Sequence, residues 1–150
     1  MLTPFNVLTP GNIRFGRGLA PSAAPWLAQR SDKVLLVHGA SPQRADFLLA
    51  ELRAHALEVT TLSIAHEPDL QAIEQGVRLA RERGVGAVVS LGGGAVIDAG
   101  KAIAALVPAS GEVIEYLEVV GSGRVLEAHP LPFVAIPTTS GTGAEVTKNA

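Results

Sequence analysis

Three consecutive glycines lie in the run Leu91-Gly92-Gly93-Gly94-Ala95-Val96-Ile97-Asp98-Ala99-Gly100-Lys101, between a β-favouring segment and a helical one. Residues without a Cβ let a backbone come close to a phosphate. A helix start adds unpaired N–H groups and partial positive charge, so a pyrophosphate is the group such a turn suits. The spacing is not the usual Gly-x-Gly-x-x-Gly, which needs glycine where Ile97 stands. Nor is it a P-loop, which needs Gly at Ala95 and Ser or Thr at Ala102. Taken alone, a triple glycine is as often a tight structural connection as a phosphate site. Asp98 and Lys101, three apart in an otherwise apolar helix, share a face; they either form an ordinary ion pair or look across a cleft.

A second candidate is Pro137-Thr138-Thr139-Ser140-Gly141-Thr142-Gly143, in which four hydroxyl-bearing residues and two glycines follow a β-favouring run. Hydroxyls and free backbone amides bind ribose, phosphate and adenine edges without adding charge. By itself this is a polar loop. Its value is that it, like the triple glycine, follows a strand, so both belong at strand C-termini and can face one crevice.

Other chemistries lack their residues. His38, His55, His66 and His129 show no i,i+4 pairing and no His-Glu-x-x-His, and each reads as a surface or loop histidine. No Gly-x-Ser-x-Gly elbow supports nucleophilic hydrolysis. Zero cysteines rule out disulfides, thiolate-zinc sites and a cysteine nucleophile, and fit a reducing compartment. A net charge of -2 supplies no field for a polyanion, so nucleic acid is not an expected partner. No apolar run approaches the roughly 18 residues that span a bilayer, and the start MLTPFNVLTPGN lacks signal-peptide character; no membrane association and a cytoplasmic location are the expectation.

The elements that must position these loops alternate. Phe5-Asn6-Val7-Leu8 and Asn12-Ile13-Arg14-Phe15, separated by Thr9-Pro10-Gly11, read as an N-terminal β-hairpin. Segment 19–30 holds at most a short helix starting near Pro21 or Pro25. Residues 33–37, ending at His38-Gly39, are a strand buried on both faces. Residues 42–56 carry helical apolar spacing. Strand 57–62, a helix from Leu70 closed by Gly84, strand 87–91, an apolar helix 95–106, a loop-rich interval 107–131 with a helical turn at 113–117, and strand 133–136 complete the chain. At 150 residues and 47% hydrophobic, this is one domain: a Rossmann-like doubly wound parallel sheet.

The two loops together resemble the iron-containing (group III) alcohol dehydrogenases. Residues 12–18, Asn-Ile-Arg-Phe-Gly-Arg-Gly, resemble that family's opening signature; 92–101 its GGGSxxDxAK motif; and 136–147 its IPTTxGTGSEVT motif, the most specific of the three. That last segment separates the chain from maleylacetate reductases, glycerol dehydrogenase and dehydroquinate synthase, and disfavours a lyase. Ala95 and Ala144 replace serines of the motifs. The resemblance implies that Gly93 and Gly94 touch a pyrophosphate, that Thr138, Thr139, Ser140 and Thr142 line the adenosine side, and that Asp98 lies near the nicotinamide. NAD-specific members carry Asp where this chain has Gly39, an Asp that would bond the ribose 2'-OH and repel a 2'-phosphate. Its replacement favours NADP over NAD, with Ser41 placed near the extra phosphate and Arg44 either meeting it or, more in keeping with a solvated helix, unengaged.

The resemblance further implies a metal, Fe or Zn, held by an Asp and three His in a C-terminal helical domain that would begin beyond Ala150. Residues 1–150 are then expected to be the NAD(P)-binding domain of an enzyme that interconverts an alcohol and an aldehyde, without activity alone. The competing reading is a stand-alone or engineered dinucleotide-binding module. Pairing of the family's N-terminal hairpin across a two-fold axis implies a homo-oligomer, a dimer or larger.

Overall fold

The structure, a computed structural model, describes residues 10–147 and residue 150. Four strands form one sheet in the order β2-β1-β3-β4, and every neighbouring pair is parallel. The strands are β1 (Lys33–His38), β2 (Glu58–Ser63), β3 (Ala87–Gly92) and β4 (Phe133–Pro137). Four helices alternate with them: α1 (Ala23–Ala28), α2 (Asp46–Ala54), α3 (Leu70–Arg83) and α4 (Gly94–Leu106).

Central strands buried on both faces are mostly apolar, and β1 and β3 are so apart from His38 and Ser90: residues 34–38 and 87–92 are buried without interruption. Their side chains alternate between two cores. Leu35, Val37 and Val88 pack with Ile73, Val77 and Ala80 of α3 and with Val96, Ala99 and Ile103 of α4. Val34, Leu36, Val89 and Leu91 face the opposite way, against Leu27 of α1 and Leu48 and Leu52 of α2. Each of those wholly buried leucines contributes about 2 kcal/mol of transfer free energy. Helices therefore cover both faces, which is the doubly wound arrangement the alternation of elements predicts.

Helix ends follow local chemistry. Asp69 caps α3, its carboxylate accepting from the Ala72 N–H at 2.8 Å. Gly84 closes the same helix at φ 65°. The 42–56 segment, expected as one helix, instead opens with a 3₁₀ turn, Pro42–Ala45, and α2 ends at Ala54 because Ala56 adopts φ 60°. The 107–131 interval is irregular apart from a 3₁₀ turn at Val113–Tyr116.

The N-terminal hairpin is not seen as expected. Its first run, residues 5–8, lies outside the described residues. Asn12-Ile13-Arg14-Phe15 is described, and it is exposed and not in a strand. β-prone composition alone does not hold an extended segment in place without a packed neighbour.

Candidate functional site

Sheet order decides where the site lies. From β1 the chain crosses to β2 on one side, and from β3 to β4 on the other, so the carboxyl ends of β1 and β3 flank the point where connections diverge. In such sheets that divergence opens a crevice. Gly39 follows β1, the triple glycine joins β3 to α4, and Thr138 to Thr142 follow β4; all sit on one rim.

The two glycine-bearing loops meet. Gly92 pairs with Pro137 in the sheet, and the next amide, that of Thr138, donates to the Gly92 carbonyl at 2.8 Å. A Cβ on Gly93 would lie 3.4 Å from Thr139 Oγ1, and one on Gly94 would lie 3.2 Å from Thr142 Cγ2. Both threonines thus rest against the glycine turn. Gly92 has a separate reason to be glycine: a Cβ there would lie 2.6 Å from Val96 Cβ. Val96 is buried, and its Cγ2 would also stand 4.0 Å from a Cβ on Gly39, so one side chain underlies both rims of the crevice. Sequence spacing does not single out Val96, because its role depends on two strand ends brought together across the sheet.

No side chain caps the N-terminus of α4, whose cap residue is Gly93. The first helical N–H groups have no intrahelical carbonyl, and the 13-residue helix adds its dipole. A glycine turn with uncapped donors at a helix start fits an anionic diphosphate. Thr138, Thr139, Ser140 and Thr142 are exposed at the same rim, and Thr142 Oγ1 accepts from the Ala144 amide at 3.4 Å.

At the β1 end, Gly39 carries no carboxylate, and its carbonyl accepts from Ser63 Oγ at 3.3 Å and lies 2.7 Å from His38 Nδ1. His38 corrects the reading of all four histidines as surface or loop residues: it is the last residue of β1 and only 7% exposed. Its ring is retained there because burial is matched by that polar contact. Ser41 is exposed and does not cap the 3₁₀ turn that it precedes, and Arg44 is exposed as well. A hollow of about 170 Å³ between β2 and α3, lined by residues 63–69 and Ala72, contains none of the predicted cofactor residues.

Asp98 and Lys101 form the ion pair expected of their spacing, Nζ to Oδ1 2.9 Å. Lys101 also reaches Thr147 Oγ1 at 3.2 Å, a contact that spacing could not reveal. Two buried oxygens, Ser90 Oγ and Glu145 Oε2, have no hydrogen-bond partner. Among the described residues no three His, Cys, Asp or Glu side chains gather as a metal site, so these residues do not fit a bound iron. No described helix is long and apolar enough to cross a membrane.

A parallel, doubly wound sheet with its loops collected at the carboxyl rim places the chain among Rossmann-like α/β proteins. More specifically, residues 10–150 match the family model described as iron-containing alcohol dehydrogenase, and the chain belongs to that family. It is 30% identical over 147 residues to a probable NADH-dependent butanol dehydrogenase 2 of Bacillus subtilis, covering 95% of this chain and 37% of the relative. Over 84 residues it is 43% identical to long-chain-alcohol dehydrogenase 1 of Geobacillus thermodenitrificans, covering 56% of this chain and 21% of that protein. The crystal structure of an NADH-dependent butanol dehydrogenase A from Thermotoga maritima superposes with a TM-score of 0.83 at 29% identity, over 95% of this chain and 36% of that one. The chain therefore spans between a fifth and two fifths of the relatives it matches.

Proposed function

We propose that residues 1–150 are the NAD(P)-binding domain of a metal-dependent alcohol dehydrogenase, and that the crevice between the β1 and β3 ends holds the dinucleotide. The observation that carries this reading is the packing of Thr139 and Thr142 against Gly93 and Gly94 at the uncapped start of α4. In it the backbone amides of the glycine turn receive the pyrophosphate, the hydroxyls of Thr138, Thr139, Ser140 and Thr142 receive the adenosine side, and Asp98 lies toward the nicotinamide.

A bound nicotinamide would supply the chemistry, accepting a hydride from the alcohol carbon while the hydroxyl proton leaves as the aldehyde forms. This chain's part is to bind and orient the cofactor. An Fe or Zn that would polarise the alcohol oxygen has no ligand set among the described residues. Isolated residues 1–150 are therefore expected to bind cofactor without turning over alcohol.

Small alcohols and their aldehydes are the proposed substrates, by likeness to relatives named for butanol and long-chain alcohols. NADP is preferred to NAD because no carboxylate stands at Gly39 to repel a 2'-phosphate, with Ser41 exposed beside it. The absence of cysteine supports a cytoplasmic setting.

Calorimetric titration of the chain with NADPH and NADH tests the reading. Saturable binding of both, tighter for NADPH, supports it; no binding of either abandons the site. Alcohol-dependent reduction of NADP by the chain with added Fe or Zn would overturn the division of labour.

A further inference from the structure

We infer that Lys101 is a positioning residue, clamping the far end of the 138–147 loop to α4 through Thr147 so that the threonines stay seated on the glycine turn. This rests on the nucleotide-binding reading above and adds to it the means by which the loop is held.

The near end of the loop is fixed by the sheet, through the pairing of Gly92 with Pro137 and the Thr138 amide on the Gly92 carbonyl. Among the described residues its middle is held only by short-range bonds, Ala144 N–H to Thr142 Oγ1 at 3.4 Å and Val146 N–H to the Gly143 carbonyl at 3.0 Å. Gly141 and Gly143 both have positive φ, 97° and 69°, and a Cβ on either would meet nothing within 4 Å. A loop tied only at its start would let Thr139 and Thr142 swing off Gly93 and Gly94. The second tie lies past these glycines: Thr147 Oγ1 stands 3.2 Å from Lys101 Nζ and 3.4 Å from the Ala144 carbonyl, and Ala144 is buried.

Lys101 is suited to this because it is itself held. Asp98 Oδ1 accepts from its Nζ at 2.9 Å, and the two side chains are 15% and 28% exposed, so the pair is sheltered from the screening that makes surface ion pairs weak. Both residues stand on α4, the helix whose first turn carries Gly94. A single rigid helix thus sets the glycine turn at its start and the loop's far tether two turns later. The Lys101 to Thr147 contact spans 46 residues of sequence, which distinguishes a clamp from a local i,i+3 pair.

The test uses the chain with Thr147→Val and Thr147→Ser, and with Lys101→Met as a second disruption. Amide hydrogen exchange of residues 139–146 is read without nucleotide, and NADPH affinity by calorimetry. Thr147→Val and Lys101→Met should each speed loop exchange and weaken NADPH about tenfold, the weight of one hydrogen bond to a charged group, with α3 amides unchanged. Thr147→Ser, which keeps the hydroxyl, should restore both. Unchanged loop exchange in Thr147→Val overturns the clamp, as does faster exchange with unaltered affinity. If the parent chain binds no nucleotide while Thr147→Val still loosens the loop and Thr147→Ser restores it, the clamp stands and the nucleotide reading fails.

Discussion

Gly100 faces Ser90 across the contact between α4 and β3, and this pair shows how single residues set the site's geometry. A Cβ on Gly100 would overlap Ser90 Oγ and come within 3.1 Å of Phe133 Cε2. Ser90 is wholly buried and its hydroxyl has no partner, so it is retained without hydrogen-bond gain. Gly100→Ala is expected to destabilise by about 1–3 kcal/mol through overpacking. Ser90→Ala should change stability by less than about 1 kcal/mol, because no hydrogen bond is lost. The double variant should recover part of the Gly100→Ala cost, and urea unfolding of the four proteins measures the coupling. Additive effects would show that α4 relaxes away from β3 instead. The glycines at 92, 93 and 94 were legible as a candidate turn; that Gly92 makes room for Val96, and Gly94 for Thr142, was not, since both depend on tertiary neighbours.

Two helices end in the same hydrogen-bond pattern with different residues. After α3, Gly84 N–H donates to the Arg81 carbonyl and Val85 N–H to that of Ala80; after α2, Ala56 N–H donates to Arg53 and Leu57 N–H to Leu52. Each pattern needs a left-handed residue, and Gly84 signals its own while Ala56 does not. Reading 42–56 as one helix failed at Ala56 for that reason. Because a Cβ disfavours that conformation, Ala56→Gly should stabilise by about 1 kcal/mol, less the extra freedom glycine gives the unfolded chain. A raised urea midpoint checks it. In the 107–131 interval, Arg124 bonds Glu115 Oε2 at 2.8 Å and the Ser110 carbonyl at 3.0 Å. The hydrogen bond from Arg124 holds the Glu115 carboxyl below its ordinary pKa. A lowered carboxylate pKa contributes stability above the unfolded value and loses it as pH falls through the folded value. An NMR titration should place Glu115 lower in the parent than in Arg124→Ala, where the midpoint rises.

Across the whole molecule, apolar side chains remain uncovered. Phe15 is fully exposed, Ile13 69%, and Val119, Val120 and Val125 all above 70%. On the expectation that association covers these side chains, light scattering should report a dimer or larger assembly; a clean monomer would refute this. Strand and helix alternation, burial of β1 and β3, and both loops as strand-end turns were determined by sequence alone, because hydrophobic periodicity and glycine chemistry are local properties of the chain. Tertiary structure alone decided the order β2-β1-β3-β4, the seating of Thr139 and Thr142 on the glycine turn, the burial of His38 and the reach of Lys101 to Thr147. Each of these joins residues far apart in sequence, and such contacts form only when the strands are packed side by side.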